Sequence, residues 1–166
     1  MNFEEIYIRH YKKLYSFAYQ CTLSKQDSED LVHESFTRLL KEFQAGTEIN
    51  NAQAWLYKVL INLINSSKNR SKHRFEIIRK NNSKELADKD IQNDYLLNEK
   101  KRIISDELKQ MPANERSLLI LYNRGLKYDE IAQILDMNPS SVGTTLARAI
   151  VKFRNTLKTK YDELFE

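Results

Sequence analysis

One cysteine, two prolines, three glycines and one tryptophan are all that this chain of 166 residues has of those four types. The solitary Cys21 excludes an internal disulfide, and its apolar and aromatic neighbours in a helical pattern point to a buried thiol, which fits a reducing cytoplasm. So little Gly and Pro leaves few residues for tight turns, which disfavours a β-rich fold and suits a helical one. No uncharged run of about 18 apolar residues occurs, and the opening MNFEEIYIRHYKK carries acids and no continuous apolar core. Neither membrane insertion nor export is therefore expected. His10, His33 and His73 lack metal-ligand spacing to one another and no Gly-rich phosphate loop is present, so no metal, cofactor or catalytic role is expected.

Charge is what the sequence has in quantity. Charged residues make up 30% of the chain and the net charge is +4, which favours a polyanionic partner such as nucleic acid.

Hydrophobic periodicity divides the chain into two helical parts. Phe3, Ile6, Tyr7, Tyr11, Leu14, Phe17, Ala18 and Cys21 recur at spacings of three and four, which predicts one face of a helix ending near Thr22. Asp27 or Ser28 is the expected cap of a second helix, with Val32, Phe36, Leu39, Leu40 and Phe43 as its apolar stripe and Gly46 as its stop. A third helix over 52–68 is expected to bury Trp55, Leu56, Val59, Leu60, Leu63 and Ile64, completing a three-helix bundle over 1–70. The basic SKNRSKHR and the polar stretch that follows predict a linker or weakly ordered helix over 71–95. Periodicity resumes in a second unit over 96–166, where Pro112 is expected to start a helix and Gly125 to end it in a left-handed cap.

Within that second unit, YDEIAQILDMNPSSVGTTLARAIVKFR (128–154) reads as two helices around a tight turn. Ile131, Ala132 and Leu135 face inward, and the small Ala132 permits the close crossing that a helix-turn-helix requires. Asn138 is the expected cap of the second helix, with Pro139 at its first position, where a missing backbone N–H costs nothing. Val142, Leu146, Ile150, Phe153 and Leu157 form its expected buried stripe. Ser140, Thr144, Ala147, Arg148 and Val151 are left outside, small enough near the helix start to approach bases and phosphates. The expected fold class is all-α: two small helical domains, a three-helix bundle and a helix-turn-helix, joined by a polar linker.

In their order along the chain, these segments resemble the extracytoplasmic-function sigma factors, bacterial subunits that give RNA polymerase its promoter specificity. DSEDLVHESFTRLL (27–40) resembles the helix that docks on the polymerase clamp. AWLYKVLINLINSSKNR (54–70) resembles the promoter-melting helix, and 111–154 resembles the domain that reads the upstream promoter element. The resemblance implies that Asp30, Leu31, Glu34 and Arg38 meet core polymerase, where an acid-rich face can pair with a basic clamp. It implies minus-ten DNA contacts from Asn50, Asn51, Lys58, Asn62, Asn65, Ser66, Lys68 and Arg70, which offer charge and hydrogen bonds to a melted strand. Minus-thirty-five contacts are implied for Ser140, Ser141, Thr144, Thr145, Arg148 and Lys152. Core RNA polymerase, promoter DNA and an anti-sigma factor are the implied partners.

The sequence departs from the family at Ser66 and Asn69, often acidic or arginine, and at Gly143, Thr145 and Ile150, often basic. Arg148, Lys152 and Arg154 are left with most of the phosphate contacts of the last helix. Gly143 weakens that helix by about 1 kcal/mol relative to alanine. Two other functions stay open at this point: a free-standing helix-turn-helix regulator that binds duplex DNA without polymerase, and a protein-interaction bundle that binds no DNA.

Overall fold

The computed structural model describes the backbone of residues 2–78 and 95–161, and the side chains of these except 68–78, 95–99 and 101. Among the described residues the chain is helical throughout, with seven helices and no strand. In order they are α1 (Phe3–Thr22), α2 (Lys25–Gln44), α3 (Ala52–Ile78), α4 (Tyr95–Gln110), α5 (Ala113–Asn123), α6 (Tyr128–Leu135) and α7 (Pro139–Tyr161).

Helix α1 begins where the Asn2 side chain accepts the Glu4 N–H, with Glu4 and Glu5 set against the positive end of the dipole. It buries Ile6, Leu14, Phe17, Ala18 and Cys21, as its periodicity requires. It also buries His10, whose pKa is lowered first by burial and then by the charges of Lys13 and Arg9. Leu23, in the left-handed region at φ 54°, ends the helix. The cap of α2 is then Ser24, earlier than expected: its Oγ accepts the Asp27 N–H at 3.2 Å. Ser28 cannot serve, because it is buried with its hydroxyl held by Thr22 Oγ1 at 2.8 Å and donating to the Ser24 carbonyl. Val32, Phe36 and Leu39 are buried in α2, whereas Leu40 turns outward and is 38% exposed. Gly46, at φ +76°, follows the helix end as expected.

Between α1 and α2 the contact is aromatic. Tyr7, Tyr11, Tyr15 and Tyr19 follow one another at single-turn spacing along α1, with ring centroids 5.2 to 6.4 Å apart, and Phe36 packs against Tyr7 at 4.7 Å. Helix α3 closes the bundle with Ala54, Leu56, Tyr57, Leu60, Ile61 and Ile64. Trp55, expected in the core, is only partly buried and packs at its edge, while Tyr57 takes the central place with its ring 5.3 Å from Phe17. The helix runs on to Ile78, through the first part of the expected linker. Residues 79–94 of that linker lie outside the described residues.

In the second unit α5, α6 and α7 share an aliphatic core of Leu118, Ile120, Leu121, Ile131, Ala132, Ile134, Val142, Leu146 and Ala149. Pro112 is the residue just before α5 rather than inside it, and Gly125 at φ +78° ends the helix in the left-handed turn. The buried stripe of α7 passes through Ala149; Ile150, expected inside, is 41% exposed. Two buried charges brace the unit. Glu107 accepts from Lys160 at 2.9 Å and from the Tyr161 hydroxyl at 3.3 Å. Arg116, 1% exposed, donates to the Lys109 carbonyl, near the negative end of the α4 dipole.

The two units are docked, and one apolar cluster runs continuously from the helices of the first into those of the second. Helix α1 meets α4 and α5, and α3 meets α6. Arg124, the residue after α5, spans the junction. It donates to the Lys13 carbonyl at 3.1 Å, to Ser16 Oγ at 2.9 Å and to Gln20 Oε1 at 3.0 Å, and its guanidinium sits 5.7 Å from the Phe17 ring centroid.

Candidate nucleic-acid and protein interfaces

Three groups of polar side chains are built on this frame, each by helical spacing. On α2, Asp30, Glu34 and Arg38 recur every fourth residue and are all exposed, with the half-buried Leu31 beside them. Arg38 Nε meets Glu34 Oε1 at 2.8 Å, an exposed pair that holds the side chains in line while adding little stability. Asp30 stands one turn before it, so the line is acidic at its N-terminal end.

On α3, Lys58, Asn62, Asn65 and Ser66 share one strip. Asn62 is exposed and its carbonyl accepts the Ser66 hydroxyl at 2.8 Å. Asn65 Oδ1 is buried with no hydrogen-bond partner among the described residues. Asn51 starts the helix: its Oδ1 accepts the Ala54 N–H at 3.0 Å, so half of its amide is committed to capping. Its Nδ2 faces Gln133 Oε1 at 3.5 Å, and Lys58 Nζ meets Asp136 Oδ1 at 2.7 Å. Asn50 is exposed just before the helix. The side chains of Lys68 and Arg70 lie outside the described residues.

At the helix-turn-helix, Glu130 reaches back to the Lys127 N–H at 2.8 Å and fixes the start of α6. Asp136 ends α6 in the left-handed region at φ 52°, a conformation that Asp tolerates better than most residues. Asn138 then caps α7: its Oδ1 accepts the Ser140 N–H at 3.0 Å and the Ser140 hydroxyl at 2.8 Å, and its carbonyl accepts the Ser141 hydroxyl at 2.7 Å. Both serine protons are therefore used inside the cap, leaving oxygen lone pairs as what these residues present. Thr144 and Arg148 are exposed one and two turns on, and Thr145 is half-buried. Lys152 is also exposed but donates to Glu115 of α5 at 3.1 Å, which offsets its charge. At Gly143 a Cβ would lie 3.3 Å from the ring edge of Tyr128, a tight contact that the partly exposed ring would have to ease by shifting.

Arg124 was no candidate from the sequence, yet it has more partners across the junction than any candidate residue. Its charge also acts on Tyr57, whose pKa burial raises and the arginine opposes. No group of His, Cys, Asp and Glu that could hold a metal ion is found among the described residues, and no described helix is long and apolar enough to cross a membrane.

Taken with the core, these surfaces define an all-helical protein in which a bundle bearing one acidic and one amide-rich face is joined to a helix-turn-helix. The comparisons give that class its family. Residues 6–74 match the model for sigma-70 region 2, and residues 101–153 match that for sigma-70 region 4. The chain is 26% identical over 163 residues to the RNA polymerase sigma factor YlaC of Bacillus subtilis, covering 96% of this chain and 94% of that one. It is also 26% identical over 155 residues to the sigma factor SigV of the same organism, covering 92% and 89%. Its fold is similar to that of the sigma factor RpoE of Bartonella quintana, solved in complex with the anti-sigma factor NepR, with a TM-score of 0.70, 20% identity, and 95% and 98% of the two chains covered. The chain belongs to the sigma-70 family of RNA polymerase sigma factors, with regions 2 and 4 in that order.

Proposed function

We propose that this chain is an alternative sigma factor that binds core RNA polymerase, carries it to a set of promoters and helps to open them. The observation that carries the reading is the open acidic line Asp30–Glu34–Arg38 on the same chain as a capped helix-turn-helix. One surface suits a basic protein partner and the other suits a DNA groove. In this reading α2 docks on polymerase. The strip from Lys58 to Ser66, continued by Lys68 and Arg70 and preceded by Asn50, receives the melted minus-ten strand. Ser140, Ser141, Thr144, Thr145 and Arg148 face the minus-thirty-five duplex, with Lys152 joining them once it leaves Glu115. The protein acts by binding, without bond-forming chemistry of its own, and works in the cytoplasm, where polymerase and DNA are.

An anti-sigma factor that covers the polymerase-binding face is the expected regulator, by analogy with the NepR-bound RpoE to which the fold is similar. The test is transcription in vitro with core polymerase on a library of genomic fragments. Defined transcripts that appear only when this chain is added are expected. Failure of core polymerase to bind the purified chain would overturn the reading. Tight binding to a duplex operator without polymerase would support the free-standing regulator instead.

A further inference from the structure

The helix assigned to duplex DNA is held unevenly along its length. Val142, Leu146 and Ala149 of α7 are buried, and after Ala149 no described residue of that helix is. Its second half, over 150–161, packs through residues that are half-buried at most. A polar anchor closes the far end. Glu107 of α4, 3% exposed and the only buried acid among the described residues, takes the Lys160 ammonium on both carboxylate oxygens, at 2.9 and 3.0 Å. The Tyr161 hydroxyl donates to the same carboxylate at 3.3 Å, and Gln110 Nε2 does so at 3.4 Å. None of these partners is itself a residue assigned to DNA.

We propose that Glu107 is a positioning residue for reading the upstream element: by fixing the last turn of α7 it sets the angle at which the first turns meet the bases. Ala149, the last buried residue, is the pivot. At about 1.5 Å per residue the anchor at Lys160 stands about 16 Å beyond the pivot and Ser140 about 14 Å before it. A displacement of about 1 Å at the anchor therefore swings Ser140 by about 0.8 Å in the opposite direction. A binding constellation has to be held within about 0.5 Å of its productive geometry, so a loose far end spoils the near one.

Charge is what makes the anchor directional. Apolar contacts such as those of Leu146 resist separation but not sliding, because the hydrophobic effect has no direction. A carboxylate gripping an ammonium and a hydroxyl in set geometry resists both. Stability alone does not account for an acid at this place, since well-packed apolar side chains in place of a buried ion pair are often as stable or more so. The other ion pair that braces α7, Lys152 on Glu115, is more exposed on both sides and correspondingly weaker.

This inference rests on the sigma reading, and one experiment separates the two. The full-length chain with core polymerase is assayed on a promoter drawn from the fragment library and on a copy with one base pair of the upstream element changed. The unsubstituted chain is expected to favour the intact promoter by at least about fivefold, the usual order for one mismatched pair. Glu107→Ala is expected to cut that preference by at least about threefold while transcription from the altered copy holds. Lys160→Met changes a side chain that is 44% exposed, keeps the fold should Glu107→Ala lose it, and is expected to act in the same way. A merely structural role reduces the amount of active protein and so lowers both transcripts alike. A preference unchanged in Lys160→Met, or in a folded Glu107→Ala, would overturn the positioning role. No transcript from the unsubstituted chain would overturn the sigma reading itself, and the positioning role with it.

Discussion

The acidic line of α2 and the amide-rich strip of α3 are built alike and sit on one bundle, yet one is open along its length and the other is engaged by α6 at Lys58 and Asn51. Both arise from polar residues at turn spacing opposite a buried stripe. Among the described residues, the only ion pair of Asp30, Glu34 and Arg38 lies within the helix, between Arg38 and Glu34. Lys58 and Asn51 instead contact residues 78 and 82 positions away. The lesson is that a helical face is made locally but is exposed or hidden by the whole chain.

The largest expected effect that would sharpen this contrast is in the helix-turn-helix core. Leu146→Ala should cost about 2–5 kcal/mol of stability in urea unfolding, with capture of polymerase through α2 intact. A negligible loss would mean that α7 does not bury this face. Next, Asp30→Lys together with Glu34→Lys should lower capture of core polymerase by at least about tenfold, or about 1.4 kcal/mol, with unfolding unchanged; undiminished capture would remove the open line from the interface. Smaller again, Arg148→Ala should reduce the salt slope of upstream-element binding by about one, and an unaltered slope would exclude a phosphate contact there.

The smallest effect is on pH. His10 has its folded pKa below the ordinary value of 6.5, so the unfolded chain takes up a proton more readily. Its contribution is fully present above about pH 6.5 and declines as pH falls toward the folded pKa. His10→Gln should flatten the dependence of Tm on pH across that window, and an identical slope would show that another group carries it.

How much of this was legible in the sequence follows from the range of each interaction. The bounds of α1, the cap at Asn138 and the left-handed Gly125 depend on residues within about a turn, and periodicity and capping rules reached them. Ile150 was misplaced because 149 and 150 lie on either side of the direction set by Val142 and Leu146; only the position of α5 decides between them. Trp55 was expected inside and Tyr57 takes that place for a similar reason, since Phe17 of α1 selects which ring enters. Ser28 looked like a cap and is instead a buried hydroxyl held by Thr22. Arg124 left no local sign at all, because its partners Lys13, Ser16 and Gln20 precede it by 111, 108 and 104 residues. Spacing reached the outward residues Ser140, Thr144 and Arg148 of α7, and the α2 candidates were implied only by the family resemblance, but neither signal shows that α6 sits on α3.

Trp55, half-buried at the edge of the bundle core, is the chain's only tryptophan, and the helix-turn-helix half has none. Indole emission therefore reports the melting of one half alone, while helical ellipticity reports both. If the shared apolar cluster couples the halves, the two optical signals will trace the same denaturation curve, and cutting the coupling at Arg124 will make them part.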